Sequence, residues 1–241
     1  MKRLFVISSG SKNNAVLIEN NKKTILIDCG VSLRSLCTVY KQLSLDISEL
    51  CAVFVTHSHS DHTKGLATLK KKLTVPFYSG AEVDGCERIS DKISLDGFEV
   101  TAFSCPHDVD CCGYRVEMET DVFCLATDIG KMTPCILENL KGCQTVMLES
   151  NHDIDMLRFG GYPQQLKDRI LSDHGHLSNK DCAKTLCLLA SEGTLKKAVL
   201  AHLSENNNTP LLAKSETRTE LMKYGFDVEV YAAEPMLEVI L

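Results

Sequence analysis

The sequence predicts an α/β (α+β) protein, a scaffold of short strands with helices covering its outer faces. Three observations carry that reading. Short β-type runs recur along the chain, helical patterns lie between and after them, and no Pro/Gly-rich linker, internal repeat or low-complexity tract breaks the succession. A length of 241 residues suits one large domain, so residues 1–241 are read as a single unit.

Strands come first. Leu4 to Ile7, Ala15 to Glu19 and Thr24 to Asp28 are apolar runs bounded by polar residues, as strands are. Leu33 to Leu43 then shows helical spacing, Ala52 to Thr56 is a further strand, and Leu66 to Leu73 is again helical. Phe98 to Phe103, Tyr114 to Met118 and Val122 to Thr127 read as strands, and Val146 to Glu149 and Ala198 to Leu203 as buried ones. Helical patterns at Gln164 to Leu171, Asn179 to Glu192 and Leu211 to Tyr224 make the second half richer in helix. Val228 to Tyr231 followed by Leu237 to Leu241 reads as a closing hairpin. Ser178, followed three residues later by Asp181, resembles a capping box, which puts His176 just before a helix start.

Composition excludes several classes. Apolar residues make up 44% and charged ones 24%, near the globular average, which argues against disorder. The run Leu4 to Ile7 is too short for a signal-peptide core and no stretch could cross a bilayer, so the expectation is a cytoplasmic protein without membrane contact. Twelve scattered cysteines with no Cys-x-x-Cys pair argue for reduced thiols. Cys111 and Cys112 read as small packing groups, with a thiolate metal site as the alternative. A net charge of −6 argues against a protein that coats nucleic acid unspecifically. A nuclease is less affected, because two divalent ions would bring the total to about −2 and concentrate positive charge in the cleft.

The strongest chemical signal is Thr56-His57-Ser58-His59-Ser60-Asp61-His62, directly after the apolar run Ala52 to Val55. Imidazole and carboxylate are ligands suited to zinc and related ions, and a loop at a strand end can turn all four groups toward one place. Alternation puts His57 and His59 on one side of an extended segment, while Asp61 and His62, entering a helix, can face a neighbouring point. That geometry suggests two adjacent ions. The bland reading is a histidine-rich surface loop, but three of only eight histidines are packed here with a carboxylate, so the ligand reading is preferred.

The His-x-His-x-Asp-His pattern resembles the metallo-β-lactamase superfamily over nearly the full chain. That resemblance implies a four-layer αββα sandwich with the metals at one edge of two packed sheets. It also implies roles. Asp28 would orient the histidine loop, although an Asp after a strand is by itself usually a turn residue. His107 would complete the first metal with His57 and His59, Asp128 would bridge both ions, and His202 would join Asp61 and His62 on the second. Each taken singly is more often structural. All of them sit at the ends of strands read from the sequence, where a rigid scaffold can present them.

Two close cations generate hydroxide at neutral pH and polarise the bond under attack, so hydrolysis is the implied chemistry. Ser8-Ser9-Gly10-Ser11, Glu149-Ser150-Asn151-His152-Asp153, Tyr162-Pro163, Arg169-Ile170-Leu171-Ser172-Asp173, Gly175-His176-Leu177-Ser178-Asn179 and Leu200-Ala201-His202-Leu203-Ser204 are similar to segments of the YycJ/WalJ-like exonuclease subgroup. Its members are described as acting on double-stranded DNA from the 5′ end. Asn13 departs from the glycine expected in that subgroup's Ser-Gly-Ser-x-Gly-Asn pattern.

His176 parallels an extra histidine of ribonuclease Z-like phosphodiesterases and is read as a catalytic group, with Asp61, for the developing oxyanion or leaving oxygen; helix capping is its alternative. For His152 three readings stay open: orienting a ligand, lining the substrate channel, or structure alone. Arg158, Lys167, Arg169 and Lys180 could meet phosphates, against the reading of a solvated helix face. No aromatic-and-basic cluster marks a stacking platform. The expected cofactors are two divalent ions, zinc first, with manganese or iron as alternatives. Competing functions are a thioesterase or lactonase of the same fold, and a catalytically silent metal-binding or interaction protein. Ser58 stands where the diiron oxygen- or nitric-oxide-reducing branch would, by resemblance, use an acidic ligand.

Overall fold

Interior strands of this protein send alternate side chains into two different cores, and that alternation stacks the layers. The computed structural model describes residues 1–241. In chain order its strands are β1 (Lys2–Ser8), β2 (Ala15–Asn20), β3 (Lys23–Ile27), β4 (Leu50–Val55), β5 (Phe77–Ser79), β6 (Glu87–Arg88) and β7 (Ile93–Leu95). They continue with β8 (Phe98–Cys105), β9 (Cys111–Met118), β10 (Asp121–Ala126), β11 (Thr145–Glu149), β12 (Lys197–Ala201), β13 (Glu229–Ala232) and β14 (Leu237–Ile240). The helices are α1 (Leu33–Gln42), α2 (Ser60–Thr63), α3 (Leu66–Lys72), α4 (Pro134–Leu140), α5 (Ile154–Phe159), α6 (Gln164–Ile170), α7 (Asn179–Ala190) and α8 (Pro210–Lys223).

Two seven-stranded mixed sheets result, in the orders β14-β1-β2-β3-β4-β5-β6 and β13-β12-β11-β10-β9-β8-β7. Phe123, Leu125, Met147, Val199 and Ala201 point into the larger core between the sheets, which also takes up Leu36 and Tyr40 of α1 and Leu69 of α3. Their strand neighbours Cys124, Ala126, Val146, Leu148, Ala198 and Leu200 point the other way, into a second core closed by Ile136 of α4, Leu186 of α7 and Leu221 of α8. A strand buried on both faces reads as an unbroken apolar run, as β10 to β12 do. The expected sandwich of two sheets flanked by helices is therefore present.

Local signals account for the helix starts. Ser178 accepts a hydrogen bond from the amide of Asp181 and so caps α7 as expected, while Ser32, Thr133 and Thr209 cap α1, α4 and α8 in the same way. Pro134 and Pro210 follow two of those caps, where a missing N–H costs nothing.

The chain end departs from expectation. No closing hairpin forms: β13 lies parallel to β12 in one sheet, and β14 pairs antiparallel with β1 in the other. The short link between them crosses from sheet to sheet through Met236 at φ 72°. Val230 belongs to one core and Val239 to the other, and burial in separate cores outweighs the short connection. Helices α4 and α5 and the short strands β5, β6 and β7 were not anticipated, since two to seven residues carry too little periodicity to read.

Candidate metal centre

Both sheets deliver strand ends to one edge. Asp28 follows β3, Thr56 and His57 follow β4, His107 follows β8, Asp128 follows β10, Glu149 closes β11 and His202 follows β12. Asp28, Asp128 and His202 adopt left-handed backbone at φ 62°, 57° and 54°. Such a conformation costs a non-glycine residue about 1–3 kcal/mol and recurs at functional sites. Here it turns three side chains off the ends of their strands. His57 bridges to Cys111, and the Thr56 carbonyl accepts from the Cys112 amide at 3.0 Å, so the histidine loop of one sheet is fastened to β9 of the other.

Backbone contacts tighten the same loop. The amides of Asn14 and Cys29 donate to the carbonyls of Asp61 and His62, both at 2.9 Å. Gly30 packs so closely that a Cβ there would lie 1.7 Å from the Asp61 carbonyl oxygen, so only glycine fits. Asn13, where a glycine was expected, has no positive φ, and its side-chain oxygen is buried without a hydrogen-bond partner.

Six of the eight histidines meet at this edge with Asp61, Asp128 and Glu149. Four sets of nitrogen and oxygen atoms lie within 4.8 Å of one another: His57, His59 and His107; His57, His62 and Asp128; Asp61, His62 and His202; and Asp128, Glu149, His176 and His202. Asp128 stands among them, with its oxygens 3.4 Å from His62 Nε2, 3.6 Å from His202 Nε2 and 3.9 Å from His107 Nε2. Asp61 Oδ2 lies 3.3 Å from His62 Nε2 and 3.8 Å from His202 Nε2.

Outer partners orient the rings. Asp28 accepts from the Thr56 amide at 2.8 Å and meets His62 Nδ1 at 2.7 Å, which leaves His62 Nε2 facing inward. Glu149 Oε1 lies 2.9 Å from His202 Nδ1 and 2.8 Å from His176 Nδ1. Carboxylates placed on the far nitrogen of an imidazole are the arrangement that aims it at a cation.

Charge balance follows from burial and neighbours. Burial drives His57 down to about 2 and also lowers His107, so both rings are neutral. Burial opposes the charged form of His62 as well, yet Asp28 and Asp128 hold it up to about 10. Against burial, Asp128 followed by Asp61 and Glu149 raises His202 well above the ordinary histidine range. Asp128 stays well below the ordinary carboxylate range despite burial because His202 and His62 face it, and hydrogen bonds with the same two rings lower Asp61.

The donors fit a divalent cation. His57 Nε2, His107 Nε2, His202 Nε2 and Asp128 Oδ2 face the cluster and are buried with no hydrogen-bond partner. Unpaired buried polar atoms are costly, and atoms of these types turned toward one point are what a cation satisfies. No cysteine enters any of the four sets, and Cys111 and Cys112 are buried in the two cores.

Other anticipated residues fall in different places. His176 is in the fourth set, its ring centroid 5.2 Å from that of His202, and the remaining residues lie further out. His152 is buried with both ring nitrogens unpartnered and makes no hydrogen bond to any of the clustered groups; its backbone bridges to Ser178. Arg169 reaches Asp108 at the edge of the cluster. Lys167 instead donates to the Arg158 carbonyl, and Lys180 faces Glu216 and Lys223 between α7 and α8. Arg158 is exposed in the last turn of α5.

Four participants escaped the sequence reading. Glu149 serves two imidazoles, Asn14 donates to Asp61 Oδ2 at 3.0 Å, Asn151 donates to the His202 carbonyl, and Asp108 sits against His59 and His107. An acidic residue closing an apolar strand, as Glu149 does, was a legible signal. The other three become visible only when segments distant in sequence meet. A cleft of 730 Å³ lined by Ser58, Thr63, Lys70, Glu82 and Asp84 opens beside the histidine loop and contains none of the clustered imidazoles.

Residues 23–203 match the family described as "Beta-lactamase superfamily domain". The chain is 32% identical to "Exodeoxyribonuclease YycJ" of Bacillus anthracis over 96% of its own length and 95% of the relative's. It is 30% identical to "Exodeoxyribonuclease WalJ" of Streptococcus pneumoniae, covering 95% of this chain and 93% of that one. Among solved structures, the metallo-β-lactamase fold protein YhfI of Bacillus subtilis superposes with a TM-score of 0.72 at 16% identity, over 99% of this chain and 98% of the other.

Proposed function

The chain belongs to the β-lactamase superfamily, in the YycJ/WalJ-like branch, and from that premise we propose that it removes nucleotides from the 5′ ends of double-stranded DNA. It is a metal-dependent hydrolase of that fold, and residues 1–241 are taken to act as one domain. In this reading His57, His59 and His107 would hold one divalent ion and Asp61, His62 and His202 a second, with the Asp128 carboxylate available to both. Zinc suits the donors best, with manganese or iron as alternatives. The observation that carries the reading is Asp128, whose carboxylate reaches imidazoles of both groups. The cytoplasm, which keeps thiols reduced, is the compartment that suits twelve free cysteines.

When bound, such ions supply Lewis acidity to a phosphodiester and lower the pKa of a water. The protein's own groups do the rest. Asp61, held ionised by His202 and His62, is placed to accept a proton from the attacking water. His176 shares Glu149 through Nδ1, which leaves Nε2–H free to donate to the leaving oxygen. Glu149 keeps His176 raised above its ordinary value against burial, as a proton donor requires. Arg169 is the anticipated phosphate contact that stands nearest the cluster through its pair with Asp108. His152, with no bond to the clustered groups, is assigned a structural part.

The test is incubation of purified protein and divalent metal with end-labelled duplex DNA, beside thioester and lactone substrates. Stepwise release from the 5′ end is expected, abolished in a folded Asp61→Ala or His59→Ala protein. Full DNA turnover by folded, metal-free Asp61→Ala protein contradicts the mechanism. Turnover of a thioester or lactone with intact DNA would favour the small-molecule reading instead.

A further inference from the structure

Each inward-facing imidazole of the second group has a buried carboxylate behind it, and the first group is built differently. Asp28 backs His62 and Glu149 backs His202, and both carboxylates are almost fully enclosed. His59 has no such buried partner. Its ion-pair partner is Asp108, whose Oδ1 lies 3.2 Å from His59 Nε2 and 3.2 Å from His107 Nε2. That carboxylate is 30% exposed, and its other oxygen, Oδ2, is paired with the guanidinium of Arg169 in the last turn of α6.

The geometry points to Asp108 as the positioning residue for His59 in the first imidazole group, with Arg169 as its anchor. The inference rests on the proposed dinuclear reading. Facing Nε2 of His59, the Asp108 carboxylate leaves Nδ1 of that ring for a cation. Because Asp108 and Arg169 are solvent-accessible, salt screens their attraction, whereas it hardly touches the buried Asp28 and Glu149 pairs. The ion held by His57, His59 and His107 is therefore the more labile of the two, and its retention depends on the docking of α6.

Zinc release into a chelator reads this directly. Wild-type protein loaded with zinc alone should lose its metal in two phases. Asp108→Asn should speed the fast phase on the order of ten- to a hundredfold, the usual cost of losing a partner behind a ligand, and leave the slow phase unchanged. Asp108→Glu should restore much of the retention. Arg169→Ala, an exposed change that spares the fold, should move the same phase in the same direction, and added salt should speed that phase in wild type but not in Asp108→Asn. Two bound ions released at wild-type rates from both Asp108→Asn and Arg169→Ala would overturn the role of Asp108 and leave the dinuclear reading standing. Fewer than two ions in the wild type would overturn both.

Discussion

His176 and Glu149 show how much a single proton position matters at this edge. Glu149 holds His176 through Nδ1, so removing the ring should cost chemistry and not metal. His176→Ala is expected to lower kcat about 10²–10⁴-fold, the usual worth of a general acid, with metal content unchanged by elemental analysis. Asp28 sits one shell further out, between Thr56 and His62. Asp28→Asn should weaken metal binding on the order of ten- to a hundredfold in a chelator competition, since the amide can no longer fix the His62 ring as the carboxylate does. Loss of activity in Asp28→Asn with metal affinity intact would contradict its orienting part. His57, His59, Asp61 and His62 were legible as a group because they are adjacent in sequence. Asp108 and Asn14 were not, because only the fold brings their side chains against His59 and Asp61.

At the scale of the element, α7 is the helix whose start bears on the site. Ser178 caps it, two residues after His176, and the signal was readable from Ser178 and Asp181 alone. Ser178→Ala should cost about 1 kcal/mol in a urea unfolding midpoint. The face of α7 that seats Leu186 in the outer core closes the sheet behind Glu149 and His202. Leu186→Ala should cost about 2–5 kcal/mol, because a cavity remains among side chains that cannot fully collapse. A loss below about 1 kcal/mol would mean that this helix is looser than its packing implies. The closing strands mark where element-level reading stops. Apolar alternation identified both of them, but alternation says only that a strand has two faces, not which neighbour it joins.

The whole molecule brings the charges of both sheets to one edge, and the metal-free protein carries them in a particular protonation state. His62, held up to about 10, and His202, also raised, are cationic at neutral pH. Metal binding must expel those protons, since only the neutral ring is a ligand. Titration of zinc into metal-free protein at pH about 7, repeated in buffers of different ionisation enthalpy, should therefore reveal release of about two protons, and affinity should rise with pH. Binding without proton release would contradict protonated His62 and His202 as the ligands.

Local sequence determined the order of the longer strands and helices, the capped start at Ser178 and the histidine-rich loop, because backbone periodicity, caps and adjacent ligands act over a few residues. Tertiary structure alone decided that β13 and β14 part into different sheets, that Lys180 turns away from the cluster while Arg169 reaches it, and that Glu149 and Asp108 stand behind the imidazoles. Those outcomes depend on which strand ends share an edge and which cores a residue enters, and such long-range burial leaves no periodic trace in the chain itself.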